Sequence, residues 1–136
     1  MYKRQPRVAE LTSKLPGAWR DALNALPALY GPADEVLAAA AARLPDTPAI
    51  RNALSALTAL AQSAAPNVDA SHVDLADLTG YHYDSGAIFS VFTAGEPNSI
   101  GRGGRYDGVG KAFGRARPAT GFTLDLRQLA GIVAKN

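Results

Sequence analysis

Through its first half the chain sets apolar residues at helical intervals and interrupts them with proline and glycine. Leu15-Pro16-Gly17 breaks the chain before residues 18–26, where Trp19, Leu23 and Leu26 recur at i, i+4 and i+7. That spacing predicts one buried helical face with Trp19 as its large anchor. Pro27 and Gly31-Pro32 bracket the next break. Asp34 is placed to cap an alanine-rich helix over residues 35–44, and Arg43 in its last turn suits the negative end of the dipole. Thr47-Pro48 reads as an N-cap followed by proline at the first helical position. The helix it opens is predicted to reach about Ser63, with Leu54, Leu57 and Leu60-Ala61 as its buried stripe.

Near residue 66 the period changes. Val73, Leu75 and Asp77-Leu78 suggest a strand. Residues 87–93 alternate, with Ile88, Ser90 and Phe92 on one face and Phe89 and Val91 on the other. Both faces are largely apolar, which predicts a central strand. Residues 95–98 form a turn, and residues 99–103 return as the antiparallel neighbour. Residues 119–124 are a further strand. Asp125 is placed to cap a final helix in which Leu126, Leu129, Ala130 and Val133 recur at helical spacing. Four strands with a helix across one face make an α+β fold built on an antiparallel sheet. The expected division is a helical region over residues 6–66 and the sheet over residues 67–136.

Composition narrows the function. With 136 residues the chain is one domain or part of one, and 47% hydrophobic residues can supply a core. The absence of cysteine excludes disulfides and thiolate metal sites and suits a reducing cytoplasm. No run of about 18 apolar residues exists, so no membrane-spanning helix is expected. Prolines and charges near the start leave no apolar core for a secretion signal. Fourteen basic residues against twelve acidic ones give +2, which demands neither a nucleic acid nor a membrane. Met1-Tyr2-Lys3-Arg4-Gln5 also reads as the conceptual translation of a transposase sequencing adapter. On that reading residues 1–5 are foreign, the native charge is balanced, and the chain is a piece of a longer protein.

Two clusters carry the candidate chemistry. The first is Gly80-Tyr81-His82-Tyr83-Asp84-Ser85-Gly86. The second is Gly101-Arg102-Gly103-Gly104-Arg105-Tyr106-Asp107-Gly108. The glycines of the second allow close approach of backbone to a ligand. Arg105 offers a planar fork to a carboxylate or phosphate, Asp107 can orient it or receive an amine, and Tyr106 gives a flat wall with a hydroxyl. The set suits a zwitterion of amino-acid size, and it equally suits a glycine-rich hairpin with a surface ion pair. In an extended segment Tyr81 and Tyr83 would share one face and His82 the other. His72, Asp74, His82 and Asp84 lack the tight spacing of a metal site, and no Walker ending follows the glycines. Ser85 and Ser90 have no recognisable base or oxyanion hole.

Together the clusters resemble histidyl-tRNA synthetases. Residues 103–108 look like their second histidine-binding motif, G-G-R-Y-D-G, and residues 80–89 look like the first, R-G-L-D-Y-Y followed by a strand. Residues 120–129 fall where motif 3 of the class II fold, G-F-x-x-G-x-E-R-L, would lie. The order and spacing of all three agree. The departures are specific. Arg127 and Gln128 stand where the family has Glu-Arg, and that arginine holds ATP in a synthetase. Asp125 replaces the motif 3 glycine, Thr79 the arginine opening the first motif, His82 its aspartate and Asp84 its second tyrosine. A neutral amide cannot stand in for a guanidinium against a triphosphate.

A dismantled nucleotide site beside a surviving Gly-Gly-Arg-Tyr-Asp wall is similar to the ATP phosphoribosyltransferase regulatory subunits, paralogues of the synthetases. That resemblance implies part of a homodimeric class II core, with motifs 1 and 2 upstream, and neither catalysis nor a cofactor of its own. It implies a short-form catalytic subunit as partner in a hetero-oligomer that performs the first step of histidine biosynthesis. The regulatory subunit would activate that partner and take part in feedback by L-histidine. The implied histidine-binding residues are Tyr83, Gly103, Gly104, Arg105, Tyr106 and Asp107; Arg105 and Asp107 would either touch the ligand or lock the loop. The rival reading is a diverged synthetase fragment that still makes histidyl-adenylate. A third is a fragment that folds poorly, with exposed strand edges.

Overall fold

A computed structural model describes residues 5–80, 83–110, 114–115 and 117–134. The adapter-like Met1–Arg4 stretch and the pair Tyr81 and His82 lie outside the described residues. The chain forms two compact units that divide between Asp77 and Leu78.

The first unit runs α1 (Gln5–Thr12), α2 (Gly17–Ala25), β1 (Tyr30–Pro32), α3 (Ala33–Arg43), α4 (Pro48–Ala64) and β2 (His72–Asp74). Its core is small and rich in alanine: Ala25, Leu29, Val36 and Ala40 are buried, with Leu26, Leu44, Leu54, Val73 and Leu75 packed against them. The predicted Trp19 face is corrected. Trp19 is 46% exposed, and α2 buries Ala22 and Ala25 instead. Small side chains let helices approach closely, and an indole on that side would hold them apart. Thr12 of α1 shows the closeness, since its side chain is buried and its hydroxyl lies 3.3 Å from Asn24 Oδ1 of α2.

The expected Asp34 cap is also corrected. The helix begins two residues earlier than expected, at Ala33, with no side-chain cap. The Ala33 amide donates instead to the Ser71 carbonyl at 3.0 Å, so a tertiary bond satisfies an orphan N–H of the first turn. Asp34 and Glu35 still place negative charge there. Thr47 caps α4 as its sequence signature predicts, accepting from the Ile50 amide at 3.2 Å. Leu54, Leu57 and Ala61 of α4 are half-buried, whereas Leu60 is exposed.

The strand predicted around Val73 exists, but it does not join the larger sheet. It pairs antiparallel with β1, matching Tyr30 to Asp74 and Pro32 to His72. The Leu75 amide adds a 3.0 Å bond to the Leu29 carbonyl. Among the described residues the larger sheet therefore has three strands rather than four.

That sheet lies in the second unit, which holds β3 (Ile88–Val91), β4 (Gly101–Arg105), β5 (Thr120–Leu124) and α5 (Leu126–Val133). It is antiparallel throughout, in the order β3-β4-β5. The central strand is the glycine-rich β4, so the expected central place of residues 87–93 is corrected to an edge among the described strands. The register explains how glycines occupy a centre. Phe89, Gly103 and Phe122 lie side by side, as do Val91, Gly101 and Leu124. A Cβ on Gly103 would meet the Phe89 ring at 2.7 Å and the Gly121 carbonyl oxygen at 2.4 Å. The Phe89 ring and the Gly121 carbonyl thus occupy the space a side chain at Gly103 would need.

Asp125 caps α5 as expected, accepting from the Gln128 amide at 3.0 Å, while its own amide donates to the Ile100 carbonyl at 2.9 Å. The apolar stripe of α5 does not form a buried face. Leu126 and Val133 are exposed; Leu129 and Ile132 are half-buried. The architecture is α+β, with an antiparallel sheet following a helical region.

Candidate functional site

Strand alternation gives the sheet of the second unit two distinct faces. One carries Phe89, Val91, Phe122 and Leu124 over Gly101 and Gly103. The other carries Ile88, Gly104 and Gly121 in one row and Ser90, Arg102 and Thr123 in the next. The predicted site residues divide between these faces.

Gly104 and Gly121 are direct partners on adjacent strands. A Cβ on Gly104 would lie 2.8 Å from Asp84 Oδ1, and one on Gly121 would lie 1.9 Å from the Tyr106 hydroxyl oxygen. Any side chain at either position would displace a polar group resting on bare backbone. The two glycines form a floor of bare backbone, covered by the Asp84 carboxylate over Gly104 and by the Tyr106 hydroxyl over Gly121. Tyr83 stacks on Tyr106 with ring centroids 5.1 Å apart and planes tilted by 40°. Tyr83 sits in a turn, its amide donating to the Gly80 carbonyl at 2.7 Å.

Gly103 and Arg105 belong to the opposite face by alternation. The stem of Arg105 runs over Gly86, where a Cβ would meet its Cβ and Cδ at 3.1 Å. Its Nε donates to Asp107 at 3.0 and 2.9 Å from the two carboxylate oxygens. Asp107 Oδ1 also accepts from the Ala119 amide at 3.1 Å, and the Asp107 amide donates to Ser85 Oγ at 2.8 Å. The Ser85 amide donates to the Arg105 carbonyl at 2.8 Å, and the Tyr106 amide to the Ala119 carbonyl at 2.9 Å. These bonds tie three segments together around Tyr106 and hold its backbone.

At the motif 3 positions, Gln128 turns its amide toward the turn between β3 and β4, 3.4 Å from Glu96 Oε2 and 3.5 Å from the Asn98 carbonyl. A shallow recess of about 510 Å3 lies nearby, lined by Arg102, Thr123, Asp125 and Arg127 among others. Reading the sequence assigns no binding role to Arg102, Ser85, Asp84 or Gly121. For Gly121 a signal existed: once strands 101–105 and 120–124 pair, one glycine must lie opposite another.

A family model described as histidyl-tRNA synthetase matches residues 2–129. The chain belongs to the histidyl-tRNA synthetase family. Within that family it is 58% identical over 130 residues to a protein of Ralstonia nicotianae named ATP phosphoribosyltransferase regulatory subunit; the match covers 96% of this chain and 33% of that one. A protein of the same name from Cupriavidus metallidurans is 56% identical over 128 residues, covering 93% and 32%. The chain thus spans about a third of the length of these relatives. A crystal structure from Bacillus halodurans C, titled an ATP phosphoribosyltransferase regulatory subunit/histidyl-tRNA synthetase, superposes with a TM-score of 0.74. At 23% identity over 93% of this chain and 34% of that one, it supports the class II synthetase-like fold. The resemblance drawn from three short motifs is therefore upheld at the level of family and fold.

Proposed function

We propose that this member of the histidyl-tRNA synthetase family is part of a non-catalytic regulatory subunit of ATP phosphoribosyltransferase. It activates a short-form catalytic subunit in the cytoplasm and conveys feedback by L-histidine. The observation that carries the reading is the identity of 56–58% to relatives bearing that name. The motif 3 positions support it. Asp125 is occupied as a helix cap and Gln128 faces a turn, so neither offers a cation to a triphosphate.

On this reading histidine lies against the paired rings of Tyr83 and Tyr106, above the Asp84 carboxylate and the Tyr106 hydroxyl that cover Gly104 and Gly121. Gly103 backs the floor from the far side. Of the two roles open to Arg105 and Asp107, their mutual bond and the bond from Ala119 favour locking the loop. Histidine alters activity because it prefers one state of the assembly, a homodimeric core within a hetero-oligomer. The test is reconstitution of the intact protein with a short-form catalytic subunit. Stimulated phosphoribosyl transfer that histidine suppresses is expected. Histidine-dependent pyrophosphate exchange with ATP would overturn the reading in favour of a diverged synthetase.

A further inference from the structure

The histidine reading leaves the ligand's carboxylate without a cation. Thr79 stands where the resemblance would place an arginine, and Arg105 is bound to Asp107 on the far face of the sheet. We propose that Arg102 supplies that cation. It receives the carboxylate of an α-amino acid lying along β4, while Asp84 takes the ligand's positive end. This inference rests on the histidine reading and names the polar ends of the same site.

The placement follows from strand geometry. Arg102 and Gly104 are two residues apart on β4, so they share a face and lie about 7 Å apart along the strand. Register confirms the shared face, since Arg102 pairs with Ser90 and Thr123 while Gly104 pairs with Ile88 and Gly121. The Asp84 carboxylate lies directly above Gly104. A carboxylate and a guanidinium therefore stand on one face of the sheet in adjacent rows, the carboxylate over Gly104 and the guanidinium side chain rooted between Ser90 and Thr123. Their order matches the two charges of a zwitterion.

Arg102 is also available. It is exposed and forms no ion pair among the described residues. Its far side borders the recess between β4, β5 and the start of α5, whose other charged members are Asp125 and Arg127. Arg105 has the opposite circumstances, with its Nε shared between both oxygens of Asp107. Of the two arginines in the Gly-Arg-Gly-Gly-Arg run, alternation turns one toward the floor and the other away from it.

The experiment is calorimetric titration of the intact protein with L-histidine and with histamine, which lacks the carboxylate. The parent, Arg102→Gln and Arg102→Lys are compared, with circular dichroism to verify folding. The expected result is that Arg102→Gln weakens histidine by about tenfold or more, the loss of one charge-assisted contact. Histamine affinity stays within about twofold, and Arg102→Lys recovers part of the histidine affinity. Equal loss for both ligands, or no loss for histidine, overturns the assignment of Arg102 and leaves the histidine reading standing. A parent protein that binds no histidine overturns both.

Discussion

Gly103→Ala and Gly131→Ala are the same chemical change placed in opposite surroundings. Neither glycine has a positive φ, so alanine meets no backbone strain at either position. At Gly103 the new methyl would lie 2.4 Å from the Gly121 carbonyl oxygen and 2.7 Å from the Phe89 ring. The ring can swing away, but the carbonyl belongs to β5 and cannot move without loosening the β4–β5 ladder. Overpacking of this kind costs about 1–3 kcal/mol, and contact with backbone places it near the upper end. For a unit of this size, 1 kcal/mol corresponds to about 4–8 °C in melting temperature, so a drop of at least about 10 °C is expected. Gly131 lies within α5 with nothing inside 4 Å of its notional methyl. Alanine there gains about 0.5–1 kcal/mol from helix propensity. Thermal melts by circular dichroism read both changes, and amide hydrogen exchange in β4 and β5 locates the loss. A Gly103→Ala protein as stable as its parent would refute the register and the packing argument built on it.

Other outcomes follow from single bonds. Thr47→Ala removes the acceptor of the Ile50 amide and should cost about 1 kcal/mol by urea unfolding, whereas Thr47→Ser should be close to neutral. Asp125→Ala should fray α5 by a similar amount, seen as faster exchange at Gln128 and Leu129, and Asp125→Asn should retain most of the cap. Asp107→Ala removes the acceptor of both Arg105 Nε and the Ala119 amide. It should weaken L-histidine binding several-fold by freeing Tyr106, with a loss of about 1–2 kcal/mol in stability; unchanged affinity would show that the ring needs no such support.

What the sequence revealed depended on whether a local or a distant group decides the outcome. The Thr47 and Asp125 caps were legible because donor and acceptor lie within three residues. The alternation around residues 88–91 and the existence of a return strand were legible, but that strand runs over 101–105 rather than 99–103, because the nine-residue connection between the strands leaves the register to their pairing. Trp19 was misread because an apolar stripe records only that a face exists; the alanines Ala22 and Ala25 decide which side a neighbouring helix can approach. The place of β3 at the sheet edge is set by pairing across the chain, which composition does not encode. The motifs identified the family through residues 80–129, yet they did not separate Arg102 from Arg105. That separation needed the register of β4 against both neighbours.

A floor of bare backbone also constrains how such a site can change over generations. A substitution at Gly104 or Gly121 cannot adjust the site in small steps, because any added carbon evicts the Asp84 carboxylate or the Tyr106 hydroxyl above it. New specificity has to be written into the surrounding walls, at residues such as Tyr83, Asp84 and Arg102, whose replacement leaves strand pairing intact. One scaffold can therefore pass from one chemistry to another by exchanging a few peripheral side chains, while the surface beneath the ligand stays the same.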